Sequence, residues 1–375
     1  MTATSSTVRR PHGGAHWRAR RVSRDPFFDN AKMLLVTLVV VGHSWTLLPD
    51  VSTSSPVYVF LYTFHVPAFV LVTGHLSRTF RFTRAHLRKL LTTVVVPYVV
   101  FETLLAAFRV VVGHEDLGPL YLSPHWPMWY LSVLFLWRLA TPLLRHVRHP
   151  LLLSVAVCLL GGLNTVDALD LPRAMGLLPF FVLGLLMTQE HFDRLATRSA
   201  RRLAVALMVV AFVVSTLVAG HFSKEWLYYR TGYPDLGVPF WLGASGRLLM
   251  LAVGTVMTMA ALALIPRTQR WFTNLGAASL VVYLFHGFAV KAAEYAGVGP
   301  LSEKDPVTGF LAVTAAAVGV SLLLAASPVS RRLNALVDPI STLSVDLPAA
   351  VDPAEQRSAV TASMALAPRD PTRIR

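Results

Sequence analysis

The chain of 375 residues consists mainly of long apolar runs separated by short basic or turn-forming segments. A helix needs roughly 17 to 25 apolar residues to cross about 30 Å of hydrocarbon. About ten stretches reach or approach this length: 31–49, 57–76, 89–112, 126–145, 150–164, 174–189, 203–220, 242–265, 273–292 and 307–327. The pattern therefore predicts an all-α fold, a polytopic transmembrane helical bundle of about ten helices.

Composition supports this class of protein. Hydrophobic residues make up 54% of the chain and charged residues 14%, against about 25% charged residues in a soluble domain. No internal repeat is evident, and residues 24–328 are predicted to form one transmembrane domain. Residues 1–23 and 329–375 have too little apolar periodicity to pack and are expected to be disordered cytoplasmic tails. The sole cysteine, Cys158, excludes an intrachain disulfide and a cysteine-cluster metal site.

Basic residues are unevenly divided between the loops. The loops on the side of the membrane that holds the amino terminus contain Arg78, Arg81, Arg84, Arg88, Lys89, Arg145, Arg148, Arg194, Arg198, Arg201, Arg202, Arg267 and Arg270. The loops on the other side contain only Arg173, Lys224, Arg230 and Lys304. Because cytoplasmic loops carry the excess of Lys and Arg, both termini are predicted to be cytoplasmic, in a multi-pass protein of the inner (plasma) membrane. The net charge of +14 is then a topology signal and does not indicate nucleic-acid binding.

Ionisable residues inside the apolar stretches are by default functional-site hypotheses, among them His43, His65, Glu102 and His286. At a rise of about 1.5 Å per residue, His43 lies roughly 18 Å above the cytoplasmic start of the first stretch. Glu102 and His286 lie at about 20 Å on stretches that run the same way. His65 lies about 12 Å below the outer end of the descending second stretch. The four side chains are therefore predicted to share one layer.

Each of these side chains also has a simpler interpretation. A single intramembrane histidine is often only a hydrogen-bond partner between helices. Glu102 could either pair with Arg109 on the same helix or face an aqueous cavity. A zinc site of His43, His65 and His286 is conceivable. No two of these ligands have the close spacing that usually preorganises such a site, and no metal is predicted.

Other polar and aromatic residues lie outside this layer. His75, His114 and His125 are expected to be solvated. The largest outer loop, residues 221–240, carries Trp226, Tyr228, Tyr229 and Tyr233. These side chains form either an interfacial aromatic belt or a platform on which a sugar stacks at the mouth of a site.

The first apolar stretch belongs to an ordered series of motifs. Arg24-Asp-Pro-Phe-Phe-Asp29-Asn-Ala-Lys32, then ten residues and His43, resembles the Arg/Lys-X10-His signature of the integral-membrane acyltransferase family 3, in particular its fucose 4-O-acetylase-like branch. Further matches across residues 24–325 are Tyr62-Thr-Phe-His65-Val-Pro67, Val72-Thr-Gly74, Val96-Pro97-Tyr98, Phe101-Glu102, Met128-Trp129-Tyr130-Leu131, Trp137-Arg138, Leu178-Pro179-Phe180-Phe181, Gly184 and Tyr283-Leu-Phe-His286-Gly287. As an ordered set these motifs are specific.

The resemblance implies an acyltransferase that O-acylates a hydroxyl of a carbohydrate or glycosylated acceptor. Its co-substrate would be acyl-CoA, above all acetyl-CoA, supplied from the cytoplasm, and no bound cofactor is expected. His43 matches the family's essential histidine and would act as general base, because the unperturbed pKa of histidine lies near neutrality. Glu102 or His65 would fix its tautomer, although attack through a covalent acyl-histidine stays open. The residues predicted to contact substrate are Trp129, Tyr130 and His286.

The donor side is less sharply defined by the resemblance. Lys32 matches the basic member of the signature, and the family's Arg-X-X-Arg element has overlapping counterparts in Arg78, Arg81 and Arg84, with Arg88 and Lys89 nearer Pro97. These five cations beside a helix amino terminus would suit the phosphates of CoA. They could equally be a topology signal that contacts lipid headgroups.

Two other functions compete with an acyltransferase. A transporter or flippase could use the intramembrane layer as a proton relay or substrate site. Such proteins often show inverted repeats with Gly- or Pro-broken helices in matching halves, and neither is evident in the sequence. A degenerate member that only binds envelope proteins is disfavoured because Lys32 and His43 are both present.

Overall fold

The computed structural model describes residues 25–48, 50–51, 55–164, 166–299 and 305–337. Within these ranges the chain is helical and contains no strand, which confirms the predicted all-α fold. Ten apolar helices follow one another in the described part of the chain: α1 (Pro26–Leu47), α2 (Pro56–Ser77), α3 (Arg84–Gly113), α4 (Trp129–Leu144), α5 (Pro150–Leu163), α6 (Ala168–Leu186), α7 (Arg198–Val218), α8 (Phe240–Leu264), α9 (Thr273–Tyr295) and α10 (Pro306–Ala325).

Each predicted apolar stretch corresponds to one of these helices. Eight of them are long and apolar enough to cross a membrane, whereas α4 and α5 are shorter, so the number of crossings stays a prediction. The largest shift of a boundary is at α6, which begins at Ala168 rather than at 174.

The terminal predictions have mixed outcomes. The prediction of a disordered tail is wrong for residues 329–337, which belong to a further helix, α11 (Ser327–Val337). Its pattern is strongly amphipathic, and the buried Val337 lies at its end, so an apolar stripe holds it against the bundle. Residues 1–23 and 338–375 lie outside the described residues, and their predicted disorder stays a prediction.

The start of α1 defines what is here called the amino-terminal face of the bundle. The Asp25 side chain caps the helix by accepting a hydrogen bond from the Phe27 backbone N–H at 2.9 Å, and Pro26 suits the first turn. The Asn30 side chain donates to the carbonyls of Pro266 and Thr268, which lie between α8 and α9. These bonds hold the α8–α9 connection on the same face as the start of α1.

A proline follows a break or an irregular turn in two helices that carry interior side chains. Proline lacks a backbone N–H and leaves the carbonyl four residues earlier without its helical partner. In α2, Pro67 follows a break at Thr63 and Phe64. In α3, Pro97 follows a π-helical turn at Leu91–Val95. The break in α2 sets the position at which His65 begins the second half of that helix.

Glycines allow α2 and α6 to pack closely. A Cβ atom at Gly74 would lie 2.1 Å from the Phe181 carbonyl oxygen, and one at Gly184 would lie 2.0 Å from the Leu71 carbonyl oxygen. Small residues at such contacts let membrane helices approach backbone to backbone. A larger residue at either position would push α6 away from the interior.

The segment 119–128 returns into the bundle after α3 and is called the re-entrant segment. The Tyr98 hydroxyl donates to the Tyr121 carbonyl at 2.7 Å, and the Tyr121 hydroxyl bonds to Thr103. Tyr98 and Thr103 lie inside α3, well before its last residue, Gly113. Non-helical backbone at membrane depth is tolerated where it is buried in protein or lines a cavity. Consequently α4 begins inside the bundle at Trp129 rather than at the predicted 126.

Candidate active site

His43 and His286 form a direct pair at the centre of the bundle. The α1 side chain places Nδ1 of His43 2.9 Å from Nε2 of His286 on α9. The two rings are stacked with centroids 5.1 Å apart. This contact joins two of the four predicted layer residues across 243 positions of sequence.

Hydrogen bonding determines the tautomer of His43. Nδ1 of His286 lies 2.5 Å from the Tyr283 carbonyl oxygen, which only accepts, so this nitrogen carries the proton. In neutral His286 the other nitrogen, Nε2, is then an acceptor for the N–H at Nδ1 of His43. Nε2 of His43 is left with a free lone pair. His43 is thereby held in the tautomer that a general base requires.

Trp126 covers this pair from the re-entrant segment. Its ring centroid lies 4.6 Å from that of His43 and 6.3 Å from that of His286. The Tyr283 hydroxyl donates to the Pro127 carbonyl at 2.5 Å and fixes the chain beside Trp126. Nothing in the sequence pattern identified Trp126 as a site residue, because it lies outside any regular helix.

Glu102 has a different partner from either one predicted. Its fully buried carboxylate accepts hydrogen bonds from the backbone N–H of His125 at 2.9 Å and from Nδ1 of the same residue at 2.5 Å. Both interpretations of Glu102, as a partner of Arg109 or as a charge facing a cavity, are therefore wrong. His125, expected to be solvated, is buried in this bond because the re-entrant segment turns inward.

Arg109 instead pairs with Glu115 just beyond α3. The guanidinium donates twice to the Glu115 carboxylate, which also accepts from Lys291 at 3.1 Å and from the Tyr295 hydroxyl. Charge-assisted bonds, first those from Arg109, lower the pKa of Glu115 to about 2. This network ties the end of α3 to α9 on the face opposite the amino-terminal face.

His65 lies in the interior but does not bond to His43. Its Nδ1 bonds to the Leu61 carbonyl at 2.9 Å, and its Nε2 has no hydrogen-bond partner within the described ranges. The tautomer of His43 is therefore set by His286 and not by Glu102 or His65. No group of three or more His, Cys, Asp or Glu residues in the described part of the chain is arranged to hold a metal ion.

His75 also departs from the expectation of a solvated side chain. It is buried, stacks on Phe28 with centroids 5.0 Å apart, and bonds through Nδ1 to the Met187 carbonyl at 2.9 Å. Its position at the end of an apolar stretch gave no sign of these partners, because Phe28 and Met187 come from α1 and the end of α6.

One cavity opens beside His43 toward the face opposite the amino-terminal face. This distal cavity has a volume of about 250 Å³. Its wall combines aromatic rings with two arginines, and its lining residues are His43, Thr46, Tyr58, Tyr62, Val66, Trp126, Trp129, Arg173, Leu177, Leu227, Tyr228 and Arg230. Trp129, which is predicted to contact substrate, lies in this wall. Tyr228, from the outer loop of residues 221–240, lies there too.

A narrow constriction, the neck, leads from His43 toward the amino-terminal face. It has a volume of about 20 Å³ and shares His43, Val66 and Trp129 with the distal cavity. Its other lining residues include Phe69, Tyr130 and Tyr283, which also line a third space, the proximal cavity of about 210 Å³. A volume of this size has room for about one water molecule. His43 thus lies where two cavities approach each other through the bundle.

The proximal cavity contains two cations. Lys32 lines it and forms an ion pair with Asp29 at 2.7 Å. Arg138 lines the same cavity from α4 and bonds to the Ser77 hydroxyl at 3.5 Å. In the sequence, Arg138 is a charge inside an apolar stretch and part of the Trp137-Arg138 motif, and neither feature predicts its place beside Lys32. Tyr130, predicted to contact substrate, lines both this cavity and the neck and bonds to the Thr73 hydroxyl at 2.5 Å.

The predicted donor loop is not assembled into one site with Lys32. Arg78 lines a separate cavity of about 450 Å³, together with Arg145 and Arg148. The other four cations of the loop, Arg81, Arg84, Arg88 and Lys89, are exposed. Their role in binding the donor stays a prediction.

Comparison with known proteins identifies the family. Residues 25–326 match the family described as an acyltransferase domain. The chain belongs to this family. The resemblance seen in the sequence is confirmed at this level, whereas the fucose 4-O-acetylase-like branch stays a prediction.

One relative extends this comparison over a short region. Nodulation protein NolL of Mesorhizobium japonicum is 41% identical to this family member over 59 residues, which are 15% of the present chain. The matched region spans 16% of NolL. No solved structure matches the chain.

Proposed function

We propose that this membrane protein is an O-acyltransferase that moves an acyl group, foremost an acetyl group, from acyl-CoA to a hydroxyl of a carbohydrate or glycosylated acceptor. The observation that carries the proposal is the position of His43 between two cavities. The proximal cavity holds cations suited to the donor, and the distal cavity holds aromatic rings suited to a sugar. Membership of the acyltransferase-domain family supports the same chemistry.

The reaction follows from the tautomer of His43. The acceptor hydroxyl lies in the distal cavity and gives its proton to Nε2 of His43 as its oxygen attacks the thioester carbonyl. The resulting tetrahedral intermediate collapses, the carbon–sulfur bond breaks, and the sulfur takes the proton back from Nε2. The products are the O-acyl ester and CoA thiol. His286 keeps the imidazole oriented through Nδ1 in both protonation states.

The donor enters from the amino-terminal face in this proposal. Its phosphates bind Lys32, Arg138 and the basic loop through charge-assisted hydrogen bonds, and its acyl end extends through the neck. Because the neck is narrower than the cavities at either end, side-chain movement at Phe69 or Tyr130 accompanies donor binding.

The orientation of the protein is part of the proposal. By the positive-inside rule, the amino-terminal face lies on the cytoplasmic side of the plasma membrane. In a Cys158→Ala background, a cysteine at exposed Asp235 should react with an impermeant thiol reagent in intact cells. Cysteines at exposed Thr83 and Thr268 should react only after permeabilisation. The reverse pattern would contradict entry of acyl-CoA at the proximal cavity.

The activity itself is tested by comparing cells with and without the gene. Mass spectrometry of envelope glycans and secreted metabolites should reveal one acyl unit that disappears with the gene and returns on complementation. Complementation with His43→Ala should not restore it. A glycan that disappears whole, rather than losing an acyl unit, would favour the transporter or flippase.

A further inference from the structure

Among the described residues, the lining of the distal cavity carries charge of only one sign. Both permanently charged residues in the lining are arginines, Arg173 and Arg230. Their mutual electrostatic interaction is repulsive. Like charges at one small cavity raise the free energy of the empty site, and a bound anion would lower it.

The two arginines differ in what they already bind. Arg173 donates to the Asp170 carboxylate at 2.6 Å, and its guanidinium lies 4.3 Å from the centre of the Trp129 ring. Arg173 is therefore fixed and neutralised by a neighbour outside the lining. Arg230 is exposed and has no ion pair or hydrogen-bond partner among the described residues.

The other acidic group near this wall does not neutralise Arg230. Glu225 accepts a hydrogen bond from the Thr231 hydroxyl at 2.7 Å and is not part of the cavity lining. Arg230 thus presents a guanidinium without an ion pair among the described residues, although Asp170, the partner of Arg173, attracts it electrostatically. A guanidinium matches the planar oxygens of a carboxylate or phosphate through two parallel N–H donors.

The remaining wall suits a ring. Trp129 and Trp126 contribute indole rings to the wall, with one face of Trp129 covered by the Arg173 guanidinium. Tyr58 bonds through its hydroxyl to that of Tyr228 at 2.7 Å, which fixes both phenols at the wall. The volume of about 250 Å³ lies below the roughly 300 to 1,000 Å³ of drug-sized pockets. The cavity is therefore matched to about one sugar residue rather than to an oligosaccharide.

From these observations we infer that the acceptor of this enzyme is an anionic sugar, whose ring lies against Trp129 and whose carboxylate or phosphate binds Arg230. The inference rests on the proposed function for the identity of the cavity as the acceptor site. It goes further by naming the charge of the acceptor and the residue that selects it.

The test measures binding, so that it does not depend on acyl transfer. Purified protein in lipid nanodiscs is titrated calorimetrically with methyl glucuronide, glucose 6-phosphate and methyl glucoside, which carry a carboxylate, a phosphate and no charge. At least one of the two anionic sugars should bind about 10- to 150-fold more tightly than the neutral one, as expected for hydrogen bonds to a charged group. The tighter of the two identifies the anionic group.

Variants then locate the preference. Arg230→Gln should remove the preference and leave the affinity for methyl glucoside unchanged, and Arg230→Lys should restore part of it. Arg138→Gln, which removes a cation from the proximal cavity, is the matched control and should keep the preference. Equal binding of charged and neutral sugars, no binding of either anionic sugar, or a preference lost in Arg138→Gln but kept in Arg230→Gln would overturn the inference.

Failure of the inference and failure of the proposed function are distinguishable. An anionic preference at Arg230 in a protein that transfers no acyl group would refute the proposed function alone. Acyl transfer by a protein without that preference would refute the inference alone.

Discussion

The distal and proximal cavities flank the same neck but are built from different kinds of structure. The proximal cavity is lined entirely by helical residues of α1, α2, α3, α4 and α9. The distal cavity includes Trp126 from the re-entrant segment and Leu227, Tyr228 and Arg230 from the connection between α7 and α8. Loops on a rigid scaffold vary more readily than the helices they connect.

This structural difference matches the difference between the donor and the acceptor of the proposed reaction. In the proposed reaction the donor is always a CoA thioester, and a regular helical cavity suits a constant ligand. The acceptor is the component that differs between enzymes of one chemistry, and irregular segments suit a variable ligand. His43 lines the distal cavity and the neck but not the proximal cavity, so its loss should affect transfer while each ligand still binds.

The largest expected effect is therefore at His43. His43→Ala should lower acyl transfer by at least about 100-fold, the contribution of a general base, while CoA and sugar affinities stay within about twofold. Transfer is measured with labelled acetyl-CoA, and the exposed His146→Ala variant is the control. Near-normal turnover of the His43 variant would remove it from the mechanism, and an acyl group trapped on His43 would replace direct attack by an acyl-histidine.

The next effect separates donor binding from chemistry. Lys32→Gln and Arg138→Gln, and on the loop Arg84→Gln and Arg88→Gln, should each raise the dissociation constant of CoA. Loss of one charge-assisted bond costs about 1.5 to 3 kcal/mol, or roughly 10- to 150-fold. His43→Ala serves as the control with normal binding. Unchanged affinity in both loop variants would assign the loop to topology, and unchanged affinity in all four would move the donor away from the proximal cavity.

A smaller effect should appear when only the distal cavity is perturbed. Glu102→Ala leaves the buried His125 donors without a partner and should loosen the segment that holds Trp126. We expect transfer to fall about tenfold, equivalent to about 1.4 kcal/mol, with CoA affinity unchanged.

The Glu102→Gln variant tests whether Glu102 acts by holding the re-entrant segment in place rather than through its charge. Glu102→Gln keeps an acceptor for the His125 backbone N–H and should recover most of the activity. The exposed Glu190→Ala variant is the control for removal of a carboxylate. Equal loss in Gln and Ala variants would mean that Glu102 contributes its charge rather than its hold on the re-entrant segment.

The smallest effect on activity is expected from the Glu115 network. Glu115→Gln should change transfer by less than about twofold, because the network lies outside both linings. Its pKa is lowered from 4.5 to about 2 on folding, so the ionised carboxylate stabilises the protein above pH 4.5. This contribution, which solvent screening keeps small, is lost as the pH falls toward about 2.

Thermal unfolding in detergent measures this contribution. The midpoint of Glu115→Gln should lie below that of the natural protein at pH 7, and the difference should shrink between pH 4.5 and 2. Glu190→Gln, at an exposed pair, should show no such difference. A constant difference across this range would show that the network stabilises the bundle without titration of Glu115.

The sequence by itself determined the class of protein, the approximate helices and the position of His43 in the interior. Apolar runs long enough to cross a membrane leave helices as the available structure, since backbone groups in lipid must bond within the segment. The spacing of Lys32 and His43 placed both on α1, and His286 was predicted in the layer that His43 occupies.

Only the tertiary structure decided how the interior polar groups pair. Hydrophobic periodicity carries no information on the partner of a buried acid or base, because that partner is distant in sequence: His286 lies 243 residues after His43. The re-entrant segment was unpredictable for the same reason. Its backbone is stabilised inside the bundle by Glu102 and Tyr283, which come from two separate helices.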